Sequence, residues 1–107
     1  MNFELINNLT KEYVLIVEAL RKKYADKIID NEKRIYLDRD LFEELLSKKD
    51  FLSVYEKKKI WRSLGWISCD NDESRFTKVI KINKNVFRKI VIETEPQKVL
   101  KNLISNQ

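Results

Sequence analysis

The chain has 107 residues, a formal net charge of +5 and a hydrophobic content of 43%, with two Trp, four Tyr and five Phe. This length and aromatic content predict one folded domain over residues 1–107 with a single hydrophobic core. The sequence has no histidine, one cysteine and one glycine, which excludes Ser-His and Cys-His catalysis, most zinc sites and glycine-rich phosphate loops. We therefore expect a protein that is not an enzyme and that uses neither a cofactor nor a metal.

Few sequence features indicate where in the cell the protein is located. Cys69 is the one cysteine, so it cannot form an internal disulfide, and its acidic neighbours disfavour a reactive thiolate. The sequence shows no signal peptide and no apolar run near the roughly 18 residues that a membrane helix needs. These features predict a cytoplasmic protein without a membrane partner.

The first half of the chain predicts a helix, a short strand and a second helix. Apolar residues recur every three or four positions over about residues 3–27, where Thr10 is a candidate second helix start. The β-favouring run at 35–37 predicts the strand. Asp38 is then expected to cap a helix over about residues 39–47, whose acidic side faces water and avoids phosphate.

The second half predicts a third helix followed by a hairpin. A short turn leads to Ser53 and Glu56, which match a capping box and predict a helix over about residues 53–64 that ends at Gly65. Strands are predicted at about residues 66–69, 75–82 and 86–92, as a three-stranded antiparallel sheet with turns at 70–74 and 83–85. Pro96 suits the first turn of a closing helix over about residues 96–104. The predicted fold class is α+β.

Positive charge concentrates in the third helix and in the last two strands. A helical wheel places Val54, Ile60, Trp61 and Leu64 on an apolar side, and the opposite side carries Tyr55, Lys58, Lys59, Arg62 and Ser63. The segment 75–92 contains no acid, and its candidate contacts are Arg75, Thr77, Lys78, Lys81, Lys84 and Arg88. Because Arg and Lys bind phosphates and guanine, and Tyr binds phosphates, these residues predict a surface for double-stranded DNA.

Simpler explanations stand beside this prediction. The Lys57–Lys59 triplet is also typical of a solvated helix face, and basic residues on edge strands discourage pairing between molecules. Trp61 and Trp66 are expected in the core, where they cannot stack on bases. The acids from Asp70 to Glu73 lack the spacing and the glycine of a calcium loop, so they predict a solvated turn.

The order of elements over about residues 10–92 resembles the winged helix-turn-helix superfamily. The resemblance is carried by the Ser53–Glu56 cap, the helix end at Leu64-Gly65, the strand start at Trp66-Ile67 and the basic hairpin 75–92. It implies a third helix in the major groove and a wing that contacts phosphates or the minor groove, with variants that bind chiefly through the wing. The size and charged wing are also similar to the TcpK-like accessory proteins of clostridial conjugation relaxosomes.

That second resemblance implies a sequence-specific DNA-binding protein of a plasmid or mobile element. Its role would be that of an accessory factor in conjugative transfer or of a transcriptional regulator, with a relaxase or other DNA-processing protein as a further partner. Because a single small domain often lacks the reach to recognise a long site, a homodimer or an array on repeated sites is also expected. The alternative is a protein-binding module or inhibitor that uses its basic face to grip an acidic partner. RNA binding is less well supported, since it usually requires exposed aromatic residues.

Overall fold

A computed structural model describes residues 2–70 and 75–105 of the chain. The architecture is α+β, with helices packed on a small antiparallel sheet. The helices are α1 (Phe3–Lys23), a 3-10 turn (Ala25–Lys27), α2 (Arg39–Leu46), α3 (Val54–Ser63) and α4 (Glu95–Ser105). The strands are β1 (Ile29–Asp30), β2 (Arg34–Leu37), β3 (Ile67–Ser68), β4 (Lys78–Ile82) and β5 (Asn85–Glu93). Most of the turn predicted at 70–74 lies outside the described residues.

The first helix is continuous and ends four residues earlier than predicted. Its N-terminus is capped by Asn2, whose Oδ1 accepts a hydrogen bond from Leu5 N at 2.7 Å. The Thr10 hydroxyl donates to the Ile6 carbonyl at 2.8 Å within the same helix, so the predicted second start at Thr10 is wrong. None of the described helices has the length and apolar character needed to cross a membrane.

The boundaries of α3 follow from its capping residues. Ser53 Oγ accepts a hydrogen bond from Glu56 N at 3.2 Å, as the capping sequence predicts. At the other end Gly65 has φ +75, a left-handed conformation that glycine adopts at little cost. Its N–H donates to Arg62 O at 3.1 Å, and Trp66 N donates to Trp61 O at 2.9 Å. This Schellman arrangement ends the helix and turns Trp66 back into the core.

The long strand β5 is the centre of the sheet, which has five strands rather than the predicted three. Residues 85–89 of β5 pair with β4, and residues 90–93 pair with β2 and β3. The strand predicted in isolation at 35–37 therefore belongs to the same sheet as the hairpin, and β1 extends it further. The strand predicted to begin at Arg75 begins instead at Lys78.

The core is built around four aromatic rings. Tyr13 of α1 stacks on Trp66 at 4.4 Å between centroids and meets Trp61 edge to face at 5.2 Å, and Phe42 of α2 contacts Trp61 at 5.1 Å. Both tryptophans are buried, which confirms their predicted place in the core. The Tyr13 hydroxyl also donates to the Glu93 carbonyl, which joins α1 to the end of β5.

The hairpin between β4 and β5 is closed by the two-residue loop Asn83-Lys84, since Ile82 pairs with Asn85. Both loop residues have positive φ, 50° and 72°, as a type I′ turn requires. A lysine in the left-handed region is strained, so we expect Lys84→Gly to raise the free energy of unfolding by about 0.5–1 kcal/mol. Urea denaturation would measure this. Lys84→Ala, which keeps the strain, should show no gain, and equal stability of the two variants would contradict the prediction.

Candidate nucleic-acid interface

Lys57, the first lysine of the α3 triplet, is fully buried. Its ammonium donates to Glu12 Oε2 at 2.8 Å and to the carbonyls of Leu46 and Lys49 at 2.7 Å and 2.5 Å. It also lies 4.2 Å from the centroid of the Phe51 ring. Three hydrogen bonds use all three donors of the ammonium. The simpler explanation of the Lys57–Lys59 triplet as a solvated helix face is therefore wrong for Lys57.

Lys58 is buried as well, contrary to the exposed position that the helical wheel predicts. Its ammonium lies 3.3 Å from a carboxylate oxygen of Glu43 and 5.3 Å from the centroid of the Phe76 ring. Glu43 belongs to α2, so this pair links the two helices on the side that was expected to meet DNA. The charge of Lys58 is compensated by Glu43, and its side chain is only 11% exposed, which leaves little of it available to a phosphate.

The rest of the predicted face of α3 is organised around Phe76. The Arg62 guanidinium lies 4.7 Å from the Phe76 centroid, and the Tyr55 ring meets Phe76 edge to face at 5.8 Å. Lys59 lies over the Tyr55 ring at 5.0 Å. Tyr55, Lys59 and Ser63 are exposed, whereas Arg62 is half-buried. Leu64 is exposed too, so its predicted place on the apolar side is wrong.

At the base of the hairpin two of the predicted DNA-contacting residues, Thr77 and Arg88, contact each other. Thr77 is buried, and its hydroxyl lies 3.4 Å from Arg88 Nη1. The same guanidinium nitrogen lies 3.4 Å from a carboxylate oxygen of Asp70. Thr77 is thus placed to orient Arg88 rather than to contact a ligand, contrary to its predicted role. Arg75 is exposed, and its side chain also interacts with another group of the protein.

The far part of the hairpin, residues 78–89, is called the wing below. Lys78, Lys81 and Lys84 make no ion pair with any residue in the described ranges 2–70 and 75–105, and Lys81 and Lys84 are exposed. One wing surface pairs Ile80 with Phe87 across the strands, and the other pairs Val79 with Arg88 and Lys81 with Val86.

The wing also exposes apolar side chains that the sequence analysis did not select. Val79, Val86 and Phe87 are 44%, 65% and 41% exposed. The signal was available, because apolar residues occupy both alternating faces of residues 78–92, and one of those faces must lie in solvent when a hairpin projects from the sheet. The wing therefore combines uncompensated lysines with exposed apolar surface.

An open cleft of about 1080 Å³ separates α2 and α3 from the base of the wing. Its lining includes the acids Asp38, Asp40 and Glu44 and the bases Lys27, Arg39, Arg75 and Arg88. Asp38 binds the ammonium of Lys89 at 2.5 Å, whereas Asp40 and Glu44 are exposed. Lys58 also lines the cleft, so a phosphate entering it would meet the exposed carboxylates of Asp40 and Glu44 together with a larger number of basic groups.

The described residues can be compared with the requirements of a metal site and of a reactive thiol. They contain no cluster of three or more Cys, Asp or Glu side chains able to hold a metal ion. Burial raises the pKa of the Cys69 thiol above its ordinary value, and the charge of Asp70 raises it further while Arg62 lowers it. The thiol lies 3.5 Å from the Phe76 carbonyl. Cys69 is therefore protonated at neutral pH and unsuited to act as a nucleophile.

No protein family matches the sequence, and no curated protein matches it significantly.

Proposed function

We propose that this protein is a winged helix-turn-helix protein that binds double-stranded DNA, chiefly through the wing. The observation that carries the proposal is the distribution of compensated and uncompensated lysines. Two of the three lysines at the start of α3 are buried in ion pairs with Glu12 and Glu43. Lys78, Lys81 and Lys84 of the wing make no such pair within the described ranges, although Lys89 at the base of the wing pairs with Asp38, and the segment 75–92 that contains them holds no acid. Free ammonium groups can replace the counterions of the phosphate backbone, which is the main source of affinity for DNA.

The order α1, β2, α2, α3, β3, β4, β5 supports the winged helix-turn-helix assignment. In such proteins the third helix commonly enters the major groove. Here α3 retains Tyr55, Lys59 and Ser63 as exposed polar groups, with a half-buried Arg62 stacked on Phe76. The exposed acids Asp40 and Glu44 on α2 would be repelled by phosphates if α3 entered deeply. These features favour a shallow contact by α3 and a dominant one by the wing.

The apolar side chains of the wing support contact within a groove rather than with phosphates alone. Val79, Val86 and Phe87 can pack against sugars and thymine methyl groups, which would add sequence preference to the electrostatic attraction. Lys81 and Lys84 lie on the same hairpin and can reach the phosphates on the groove walls. We infer sequence-specific binding from this combination.

We further propose that the protein acts in the cytoplasm, without catalytic activity, as an accessory factor of conjugative transfer or a transcriptional regulator of a plasmid or mobile element. The support for this role is the resemblance in size and wing charge to relaxosome accessory proteins. A homodimer or an array on repeated sites would give one small domain the reach to recognise a long site.

Binding of a random-sequence duplex library across a salt series tests the proposal. If Lys59, Lys78, Lys81 and Lys84 neutralise four phosphates, log K should fall with log salt at a slope of about −3.6. Sequencing the retained duplexes should show an enriched motif. Retention without enrichment would remove the sequence-specific part of the proposal. No retention at low salt would refute DNA binding altogether.

A further inference from the structure

Within the sheet, the wing is joined to the rest of the protein by a single strand. Residues 85–89 of β5 pair with β4 inside the wing, whereas residues 90–93 pair with β2 and β3. In the described part of the chain, β4 pairs with β5 alone. Two-stranded ribbons twist more than larger sheets, so this connection does not by itself fix the direction in which the wing projects. Side-chain contacts at the base of the wing supply that constraint.

On one side of the base, Asp70 connects both strands of the wing. Its Oδ2 accepts a hydrogen bond from Val79 N in β4 at 3.3 Å and lies 3.4 Å from Arg88 Nη1 in β5. Val79 and Arg88 are directly opposite each other in the strand register, so one carboxylate holds both members of a cross-strand pair. The Thr77 hydroxyl lies 3.4 Å from the same guanidinium nitrogen. Asp70 follows the end of β3 by two residues, so it ties the wing to the body of the sheet.

On the other side of the base, Asp38 holds Lys89. Successive side chains of a strand point to opposite faces, so Arg88 and Lys89 leave β5 on opposite sides. The Lys89 ammonium lies 2.5 Å from Asp38 Oδ1. Asp38 stands between the end of β2 and the start of α2. The base of the wing is therefore gripped on both faces, and one of the two grips reaches the first helix of the helix-turn-helix unit.

The charge of these two acids opposes DNA binding by the wing, because carboxylates repel phosphates. Their contacts point to a different contribution. We propose that Asp38 and Asp70 are positioning residues, which clamp the base of the wing and hold it at the angle to α3 that lets both elements reach one DNA duplex. Arg88 then belongs to the clamp rather than to the phosphate contacts. The role in binding rests on the proposed function, whereas the clamp itself is testable without DNA.

NMR on the full chain without DNA tests the clamp. Asp70→Ala and Asp38→Ala should each change the residual dipolar couplings of the wing amides relative to those of α1, and lower the order parameters of the wing from about 0.85 toward 0.6. Asp70→Asn keeps an oxygen acceptor for Val79 N and should have a smaller effect. Asp38 makes no side-chain capping hydrogen bond to α2, so its replacement should leave that helix intact. Unchanged wing couplings in both alanine variants would overturn the proposal.

Mobility shifts with the duplex selected from the library test the role in binding, and Asp40→Ala is the matched control. Asp40 is an exposed acid of α2 that lies 3.9 Å from its neighbour Arg39. Each alanine variant removes one negative charge, so charge alone predicts that all three bind DNA more tightly. Positioning predicts instead that Asp38→Ala and Asp70→Ala weaken binding by about threefold to fivefold, while Asp40→Ala does not.

The outcomes of the two experiments separate the clamp from DNA binding. Equal tightening by all three variants would overturn the positioning role. Weaker binding by the two clamp variants, with the salt dependence nearly as steep as in the unmodified chain, would support it, because the lysines of the wing are all retained. If the unmodified chain binds no duplex, the proposed function fails, and the dipolar couplings still decide whether the two acids hold the wing.

Discussion

Replacing Lys57 by methionine is expected to lower the free energy of unfolding by about 3–5 kcal/mol, because it leaves the Glu12 carboxylate buried without its cation. Methionine keeps most of the apolar stem, so the loss measures the charge and its hydrogen bonds rather than a cavity. The carbonyls of Leu46 and Lys49 also lose their shared donor. Domains of this kind are stabilised by about 5–15 kcal/mol in total, so the substitution should remove a large part of that stability.

Urea denaturation followed by circular dichroism measures the effect, and the double variant Glu12→Leu with Lys57→Met is its control. Removing both charges should recover most of the loss, since apolar residues often replace a buried ion pair at little cost. If Lys57→Met fails to fold, the milder Glu12→Gln, which keeps an acceptor for the ammonium, should still show a loss. A cost below about 1 kcal/mol for Lys57→Met would mean that water reaches the carboxylate.

The loss of stability caused by Lys57→Met should depend on pH in a defined direction. Burial raises the pKa of Glu12 above its ordinary value, with Lys57 and Lys49 opposing the shift. A carboxyl whose pKa is raised by folding stabilises the folded state in its protonated form, and that contribution is lost as pH rises through the folded pKa. Because Lys57→Met removes the principal opposing charge, the deficit of this variant relative to the unmodified chain should shrink as pH falls through the raised pKa of Glu12.

The burial of Lys57 had a signal in the sequence. Val54, Lys57 and Trp61 are spaced by three and four residues, so the lysine lies on the buried stripe of α3. Glu12 occupies the equivalent kind of position between Leu9 and Tyr13. A charged residue on an apolar stripe indicates a buried partner of opposite charge. The identity of that partner, 45 residues away, could not be predicted, because local periodicity carries no information on contacts between helices.

The capping residues of α3 were predicted correctly because their interactions are local, whereas Asp38 precedes α2 without a side-chain capping hydrogen bond and Thr10 lies inside α1. Ser53 caps α3 and Gly65 ends it through hydrogen bonds within a few residues. The sheet depends instead on pairing between distant segments, such as Ile35 with Ile92. Its hydrophobic pattern identified the strands but not their partners, which explains why β2 was expected to stand apart from the hairpin.

At the candidate interface, too, local features could be predicted from the sequence and tertiary contacts could not. Exposure of Lys81 and Lys84 follows from their place on a projecting hairpin, which the turn residues predict. The loss of Lys58 and Thr77 from the predicted surface depends on Glu43 and Arg88, which approach from other elements. Residue type and spacing therefore identified a basic region, whereas tertiary contacts decided which of its charges remain available.

Removing those available charges is expected to have the largest effect on DNA binding. The triple variant Lys78→Gln, Lys81→Gln, Lys84→Gln should reduce the steepness of the salt dependence by about 2.7 and the affinity by about 100-fold at physiological salt, because three phosphate contacts no longer release counterions. The wing itself should remain folded. Lys78 lies directly opposite Lys89 in the strand register, so neutralising it relieves a like-charge pair.

Two comparisons decide whether the wing or α3 dominates, with mobility shifts across a salt series as the measurement. Lys11→Gln, Lys22→Gln, Lys23→Gln changes the net charge equally at exposed positions of α1 and should lower affinity far less. Lys59→Gln removes an exposed charge of α3 and should reduce the steepness of the salt dependence by only about 0.9. If the α1 variant lost as much affinity as the wing variant, net charge alone would explain binding. If Lys59→Gln had the larger effect, α3 rather than the wing would form the principal contact.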